Sequence, residues 1–594
     1  GDLDAEDADR IVETAEGNPL FLEQLVATRA ERGEGELPPS VQAVLAARIA
    51  ALEPSERTVL ERAAVEGRSF TWGSVASLLP EDERESLGRH VMALVRQRLI
   101  QPDPSSLAGD DAFRFSHVLI REAAYAELPK ELCAELHERL AERSSEDEIV
   151  GHHLEQAYRC RAQVGLAGDH ERALAQEART HLEAAAHKAL LHGDPDSAAG
   201  LLERATSLLP LDDPSRPSLL PALGAALFEA GRLVDAERVL SEAIESSQDE
   251  VHRARARVEQ QFVRLQTEPG AIQEAQRVVG DALSVFARRG DDSGQSRAWC
   301  LQASIAWIAG RVAQADEAWR RGAQCARRAG ENRELFEILD WRASAAVVGP
   351  TPVDQAIELC LEIREQVRSS PVAFAETLHP LAALYAMRGE FDEARALVAE
   401  GNAIVGELGR MYSEAISQHE ALVEMLAGNP EGAEERLRRA YDRLEEMGEK
   451  AMLAVTAAML AQAIYAQDRP EEAARYSRAS REAAAGEDLA ALIVGKAADA
   501  KILARQGRAE EAEALAREAV ELAWRTDFLR DRGDADLDLA EVLQLNGKPQ
   551  ESAEALAAGL EQYEEKGDLV SAGRARSRLE QFGPGMRHDA SGGG

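Results

Sequence analysis

Apolar positions in residues 37 to 130 recur at helical spacing and predict a run of short helices. In the last of these, one apolar face is formed by Leu87, Val91, Leu94 and Val95, as in a helix packed on a core. The predicted helices are Val41 to Leu52, Ser55 to Glu66, Gly73 to Leu79 and Glu83 to Arg98. Two strands, Leu99 to Gln101 and Ala112 to Phe115, flank a turn-rich segment and predict a wing. Three of these helices together with the wing predict a winged helix-turn-helix domain over 37–130, with Glu83 to Arg98 as the recognition helix.

A second pattern occupies residues 171–580, where turn residues recur every 38 to 40 residues. Chance does not produce nine gaps this even, so the pattern predicts about ten repeats. The turn positions are Gly193, Gly231, Gly270, Gly310, Gly349, Gly389, Gly428, Asp468, Gly507 and Gly547. In nine units a small residue follows five positions later, and another stands seven positions beyond that, as at Ala236 and Ala243. The unit at Gly349 is the exception, because Thr351-Pro352 displaces Ala356 by two places.

The repeat has a simple physical interpretation as a helical hairpin. A left-handed glycine ends the first helix, and the small residues two turns apart let the second helix approach closely. Such hairpins bury their apolar faces only by stacking, which predicts a solenoid with a concave groove. Leu223-Gly224, Gly231, Ala236 and Ala243 resemble the tetratricopeptide repeat, although the period is about five residues longer than the usual 34. The predicted fold class is all-α with a small β wing, a winged helix-turn-helix followed by a tetratricopeptide-like α-solenoid superhelix.

Charge and composition narrow the range of partners. Lys and Arg total 68 against 106 Asp and Glu, a formal net charge of -38, so nucleic acid is not an expected partner. No apolar run is long enough to cross a bilayer, and we expect a cytoplasmic protein without a membrane partner. The five cysteines form no C-x-x-C pair and are expected to be buried thiols in a reducing compartment. Because Gly1 lies directly inside a helical pattern, we also expect the chain to be the C-terminal piece of a longer protein.

Two short strings carry a sharper resemblance. Gly17-Asn18-Pro19-Leu20-Phe21-Leu22 and the segment from Phe113 to Tyr125, FRFSHVLIREAAY, resemble the STAND class of signal-transduction ATPases. More narrowly, they resemble bacterial members linked to an adenylate or guanylate cyclase domain or to a LuxR-type DNA-binding domain. The resemblance implies that residues 1–36 are a remnant of the ATPase helical lid, with Gly17 and Pro19 near the adenine. It also implies that His117 contacts the nucleotide phosphate, ATP or ADP being the cofactor of the parent protein.

Each of these residues also has a structural interpretation. Gly-Asn-Pro between two helices is an ordinary helix stop and restart, and a histidine at the start of a helix from Val118 to Leu128 is a cap. His152 and His153 are adjacent and point to different faces of a helix, so we expect no metal site there. Trp299, Trp307, Trp319 and Trp341 either line a pocket or fill space between helices.

The residues of catalysis are not found in the sequence. Gly495-Lys496-Ala497 lacks the glycine spacing and the hydroxyl of a P-loop, and no apolar strand ends in paired acids as a Walker B motif does. We therefore expect no catalytic residues, no bound cofactor and no enzymatic activity in this chain itself.

The predicted organisation is a lid remnant (1–36), a winged helix (37–130), linking helices (131–170), the repeat solenoid (171–580) and a disordered tail (581–594). The predicted function is the regulatory half of a STAND-type ATPase. A protein partner or small inducer in the solenoid groove would control the nucleotide state of an N-terminal ATPase domain, with oligomerisation on activation. The alternatives are a winged-helix DNA-binding transcription regulator and a free-standing repeat scaffold for protein interactions.

Overall fold

The structure, a computed structural model, describes residues 41–103, 111–268, 270–407, 414–447, 450–484 and 489–582. The predicted lid remnant, with Gly17 and Pro19, lies outside the described residues, as does the predicted tail from residue 583 onward. The chain divides into two compact units between Arg216 and Pro217.

The first unit begins with short helices around a small sheet. Its core is built from apolar residues of these helices and strands, among them Leu45, Leu60, Leu94 and Ile120. The elements are α1 (Val41–Ala50), α2 (Pro54–Glu66), β1 (Ser69–Thr71), α3 (Trp72–Leu78), α4 (Glu81–Arg84), α5 (Leu87–Arg96), β2 (Ile100–Pro102), β3 (Ala112–Phe115) and α6 (Val118–Ala126).

The sheet has three antiparallel strands in the order β1-β3-β2, one more than the two-stranded wing predicted from the sequence. The additional strand, β1, pairs Phe70 with Phe113 of β3, and their rings stack at 6.0 Å between centroids. On the other edge, Ile100 of β2 pairs with Phe115. The three residues of β1 are too few for a period-2 pattern to be recognised in the sequence.

The prediction of a single helix from Glu83 to Arg98 is wrong, because the structure has two helices there, α4 and α5. The hydroxyl of Ser86 donates to the carbonyl of Glu83 at 3.0 Å, and such local bonds compete with the helical ladder. The predicted apolar face survives in α5, where Leu87, Val91 and Leu94 are buried. The winged helix-turn-helix remains a prediction.

Four longer helices complete the first unit. They are α7 (Lys130–Ala141), α8 (Asp147–Gln163), α9 (Asp169–Leu191) and α10 (Pro195–Ser207). Helices α9 and α10 form the first predicted hairpin, turning at Gly193 with a φ of 67°.

The second unit is a succession of paired helices, the solenoid expected from the repeats. These are α11 (Arg216–Glu229), α12 (Leu233–Ser246), α13 (Glu250–Thr267), α14 (Ile272–Arg289), α15 (Asp292–Ile308), α16 (Val312–Ala329), α17 (Asn332–Val348), α18 (Val353–Gln366), α19 (Pro371–Met387), α20 (Phe391–Glu407), α21 (Glu414–Leu426), α22 (Pro430–Met447), α23 (Lys450–Tyr465), α24 (Pro470–Ala483), α25 (Leu489–Arg505), α26 (Ala509–Trp524), α27 (Leu529–Leu545), α28 (Pro549–Lys566) and α29 (Leu569–Glu580).

The turn geometry predicted from the period is confirmed in nine of the ten units, where the turn residue has a positive φ. One of the nine is not a glycine: Asp468 takes a φ of 60°, a conformation that aspartate tolerates better than most residues. The tenth, Gly349, has a φ of -77° and ends its helix in an extended conformation. The unit that breaks the sequence pattern therefore also breaks the turn geometry.

The close approach of paired helices is also confirmed. The first small residue of every unit is fully buried, including Ala356 of the displaced one. At Gly559 a Cβ atom would lie 3.0 Å from the backbone oxygen of Gly533, so a side chain has no room there. At Gly224, in the string that resembles the tetratricopeptide repeat, a Cβ atom would lie 2.4 Å from Leu240 Cδ2 of the partner helix.

The last repeats of the second unit contact its middle repeats through polar side chains. Lys566, at the end of α28, donates to the carbonyls of Ala346, Gly349 and Thr351 at 2.7, 2.8 and 2.7 Å. The carboxylate of Asp527 accepts from the first two backbone N–H groups of α16, those of Val312 and Ala313, at 2.6 and 2.9 Å. Arg574 of α29 donates to the last carbonyls of α21. Each of these bonds pairs a backbone N–H or carbonyl group at the end of a helix with a side chain more than a hundred residues away along the chain.

The irregular unit at Gly349, with its Thr351-Pro352 sequence, takes part in this docking. The carbonyl of Gly349 faces the ammonium of Lys566, and a Cβ atom on Gly349 would lie 2.5 Å from Val312 Cγ1. This turn therefore serves a contact with a distant repeat as well as its own hairpin. Within the described ranges, no helix has both the length and the apolar character needed to cross a bilayer.

Candidate partner-binding surface

One face of α17 carries Arg333, Glu337 and Asp340, which follow each other at helical spacing. The guanidinium of Arg333 pairs with Glu229 of α11 at 2.5 Å, although α13 and α15 intervene between the two helices in the chain. First helices of separate repeats thus face each other on this side of the solenoid, as the walls of a groove do.

A second ion pair extends the same face. Arg297 of α15 donates two bonds to Glu259 of α13, both at 2.9 Å, and its guanidinium lies 4.1 Å from the ring centre of Phe262. Burial acts to lower the pKa of Arg297, but the carboxylates of Glu259, Glu337 and Glu334 together outweigh it and raise that pKa well above its usual value. This guanidinium is therefore fixed in both position and charge.

Acidic groups outnumber the two guanidinium groups on this face. We call the following residues the inner acidic surface: Glu229, Glu259, Arg297, Arg333, Glu334, Glu337, Asp340 and Glu376. Six carboxyl groups thus accompany two arginines, so the surface has an excess of acidic groups within an already acidic chain.

Burial changes the pKa values of three of these acids. Burial raises the pKa of Glu334 to about 7. Burial, reinforced by the nearby carboxylates of Glu376 and Glu337, raises the pKa of Asp340 well above its usual range. The side chain of Glu229 keeps 27% of its surface exposed, yet the surrounding protein raises its pKa by desolvation. A cation brought to this surface would offset the negative charge of the carboxylates and lower these pKa values, so that the carboxyl groups would release their protons.

Three of the four predicted tryptophans form one aromatic cluster beside this surface. The rings of Trp307, Trp319 and Trp341 lie 5.9 to 6.1 Å apart, and Phe528 contacts Trp307 at 5.8 Å. Trp319 is buried and fills space between helices, whereas Trp341, one turn beyond Glu337, is 40% exposed. The fourth, Trp299, lies apart under the guanidinium of Arg321. An exposed indole next to carboxylates is suited to binding a partner side chain.

Of the three predicted nucleotide residues, His117 is the one that lies within the described part of the chain. The Nδ1 atom of His117 accepts from the backbone N–H of Leu119 at 3.2 Å, so the side chain caps α6. This is the structural role that the sequence left open for it. A contact with nucleotide in the parent protein remains a prediction, and Gly17 and Pro19 lie outside the described residues.

Sequence reasoning missed a buried polar network in the first unit. The Tyr125 hydroxyl lies 2.8 Å from His137 Nε2, and His137 Nδ1 lies 2.9 Å from His153 Nδ1. Burial lowers the pKa of His153 to about 4 and that of His137 well below its usual value, so both rings are neutral. One ring therefore donates its Nδ1 proton to the other. The residues lie on α6, α7 and α8, and only their packing brings them together.

Two of the five cysteines adjoin this network. The Sγ atoms of Cys133 and Cys160 lie 3.2 Å apart, and the Tyr125 hydroxyl is 3.8 Å from the latter. All five cysteines are buried thiols, as predicted. Across the ranges that the structure covers, no set of three or more His, Cys, Asp or Glu side chains has the geometry of a metal site.

Comparisons with known proteins identify the repeats. The family model described as "Tetratricopeptide repeat" matches residues 189–258. No curated protein matches the chain. Among solved structures, a STAND protein with a tetratricopeptide repeat sensor from Pyrococcus horikoshii is similar at 14% identity, covering 98% of this chain and 72% of that one, with a TM-score of 0.35. A Rap protein complexed with competence and sporulation factor is similar at 12% identity, covering 62% of this chain and 98% of that one, also with a TM-score of 0.35.

Proposed function

We propose that the chain is the regulatory, partner-binding part of a STAND-type signal-transduction ATPase. The observation that supports this most is the inner acidic surface, where first helices of separate repeats face each other around an exposed tryptophan. Tetratricopeptide-like solenoids bind partners through such extended surfaces and carry out no chemistry themselves. The strings at residues 17–22 and 113–125 support the STAND assignment by resemblance, and the cyclase or LuxR linkage of the parent protein is part of this proposal.

The partner of the inner acidic surface is a polypeptide or inducer that carries positive charge. Burial raises the pKa values of Glu334 and Asp340 there, and the neighbouring carboxylates of Glu376 and Glu337 add to the rise at Asp340. A lysine or arginine of the partner would lower these pKa values, and an apolar group beside it would cover Trp341.

Regulation follows from the contacts of the middle repeats with the last ones. A partner that binds one arrangement of these repeats better than another would shift the equilibrium between them, and it would act on the N-terminal ATPase domain through that shift. In the parent protein this equilibrium couples to a closed ADP-bound state and an open, oligomerising ATP-bound state. A winged helix over residues 37–130 would connect the sensor to the ATPase.

The binding surface is tested by site-specific photo-crosslinking. A benzoylphenylalanine replaces Trp341 in the full chain, and a matched variant carries it at Trp524, which is also exposed at 44% but lies on α26. After irradiation in extract of the source cells, we expect a discrete partner at position 341 and not at 524. The crosslink should disappear when Glu337 and Asp340 are changed to lysine. Equal crosslinking at both positions, or persistence after charge reversal, would refute the assignment of the surface.

The STAND assignment is tested separately by reading the coding sequence upstream of Gly1. A P-loop followed by a Walker B strand is expected there, and a cyclase domain before them would identify the output. A start codon at or near Gly1 would favour the free-standing scaffold. Sequence-specific, salt-dependent DNA binding by the full chain that is lost in R89Q/R96Q would favour the transcription regulator instead, because both arginines are exposed on α5.

A further inference from the structure

Two buried thiols of the first unit lie beside each other on neighbouring helices. Cys133 is on α7 and Cys160 is on α8, and their Sγ atoms are 3.2 Å apart. Cys133 is fully buried, whereas Cys160 keeps 4% of its surface exposed. The inner acidic surface lies wholly in the second unit, so the proposed function makes no use of this pair.

The two helices are held together close to the thiols. Arg161, the residue after Cys160, pairs with Glu138 of α7 at 2.9 Å, and the Tyr125 hydroxyl of α6 lies 3.8 Å from Cys160 Sγ. The sulfurs of a disulfide are about 2.05 Å apart, so the two sulfurs here need to approach by only about 1 Å. A small movement of the side chains therefore brings them to bonding distance.

The two thiols are not equivalent. A hydrogen bond with Cys133, aided by the Tyr125 hydroxyl and the Lys130 ammonium, lowers the pKa of Cys160 to about 6, although burial opposes it. The same hydrogen bond raises the pKa of Cys133 well above its usual range. The thiolate is the nucleophile, and Cys160 is also the more exposed of the two sulfurs. Cys160 is therefore the thiol that reacts first.

Paired cysteines serve either as metal ligands or as a redox couple. A structural metal site needs further ligands, and in the part of the chain that the structure describes no third His, Cys, Asp or Glu side chain completes one here. The nearby imidazoles of His137 and His153 are 2.9 Å from each other at their Nδ1 atoms. Both cysteines are free thiols. The arrangement thus favours oxidation of the pair.

We propose that Cys133 and Cys160 form a reversible disulfide when the protein meets a peroxide. The Cys160 thiolate first attacks one oxygen of hydrogen peroxide: an S–O bond forms, the O–O bond breaks, and the departing hydroxide takes up a proton to become water. The Cys133 sulfur then attacks the sulfenic sulfur: the S–S bond forms, the S–O bond breaks, and hydroxide leaves as water with the Cys133 proton. The two thiols together lose two electrons to the peroxide, and a small dithiol returns them.

The bond would fasten the helices that connect the small sheet to the first repeat. On one side, Arg139 of α7 donates to the carbonyl of Leu78, at the end of α3, at 3.4 Å. On the other side, α8 is followed by α9, the first helix of the first hairpin. A covalent link between residues 133 and 160 removes the open conformations of the segment between them. Peroxide would thus stabilise this part of the first unit.

The test exposes the folded full chain to hydrogen peroxide after reduction with dithiothreitol and removal of the reductant. The remaining thiols are blocked with N-ethylmaleimide in denaturant, and the peptides are mapped by mass spectrometry. We expect one linked pair of peptides, joined through Cys133 and Cys160 and two hydrogens lighter than the free peptides. The reactive thiols should fall from five to three, and dithiothreitol should restore all five. This measurement uses the wild-type chain and does not depend on the folding of a variant.

Single substitutions separate the roles of the two thiols. In C133S the sulfenic acid of Cys160 has no partner thiol, so it should accumulate and react with dimedone. In C160S the thiol that reacts first is missing, so peroxide should leave Cys133 unmodified. C325S is the matched control, because Cys325 is also a buried cysteine but lies on α16. The bond between Cys133 and Cys160 should form in C325S at the wild-type rate.

Hydrogen exchange measures the effect on the two helices. Amides in residues 130–163 should exchange at least about tenfold more slowly in the oxidised chain than in the reduced one, with no change in C160S. Unchanged exchange on oxidation would overturn the stabilisation of this part of the first unit. The disulfide itself is overturned if the folded chain keeps five reactive thiols, if the linked peptides join other cysteines or two chains, or if the bond forms only in urea.

Discussion

Replacing Lys566 with methionine should detach the last repeats of the second unit from its middle repeats. The aliphatic part of the side chain is retained, while three buried hydrogen bonds, to the carbonyls of Ala346, Gly349 and Thr351, are lost. Bonds from a charged donor contribute about 1.5–3 kcal/mol each, which gives roughly 5–9 kcal/mol in total.

The cost of burying the ammonium opposes that sum. Burial lowers the pKa of Lys566 to about 7, and at about 1.36 kcal/mol per unit the penalty is roughly 4–5 kcal/mol. The difference predicts a net destabilisation of roughly 0–5 kcal/mol for K566M, with a central value of about 2–3 kcal/mol. The experiment belongs at pH 6, where the ammonium keeps its proton and can make all three bonds.

Hydrogen exchange measured by mass spectrometry reports the effect on both sides of the contact. Amides in residues 344–352 and 562–572 should exchange about 30- to 150-fold faster in K566M, because local opening becomes easier by that free energy. K548M is the matched control, because Lys548 is exposed and its pair with Glu513 at 2.8 Å is screened by solvent and contributes little to stability. Unchanged exchange in 344–352 would refute the idea that Lys566 joins the two regions.

Two further predictions concern packing and ionisation. G559A should lower the free energy of unfolding by about 1–3 kcal/mol, because its Cβ would meet Leu537 and a backbone oxygen. G280A should raise it by up to about 1 kcal/mol, because no atom lies within 4 Å of the added Cβ. Urea unfolding compares the two variants, and equal effects would contradict the close approach of the paired helices at Gly559. Burial raises the pKa of Asp536 to about 7, so the folded state keeps a proton that the unfolded chain loses near pH 4, and the unfolding free energy falls between pH 4 and 7. D536N has no carboxyl group to titrate, so the difference in melting temperature between D536N and the wild type should grow in favour of D536N from pH 4 to pH 7. A difference that stays constant with pH would disprove the raised pKa of Asp536.

The sequence determined the repeated unit by itself. A left-handed turn and two small residues at fixed spacing act within one hairpin, so a local pattern is enough to specify them, and the positive φ of Gly231 or Gly507 follows from it. The buried thiols and the apolar face of α5 were also predictable, because each depends on residue type and helical period alone.

Other features depend on contacts that no local pattern encodes. Lys566 meets the carbonyl of Ala346 across 220 residues, and Arg333 meets Glu229 across 104, so each pairing exists only after the repeats have stacked. Stacking converts a period along the chain into distances in space, and at the irregular turn of Gly349 it brings a distant lysine within 2.8 Å of the backbone carbonyl.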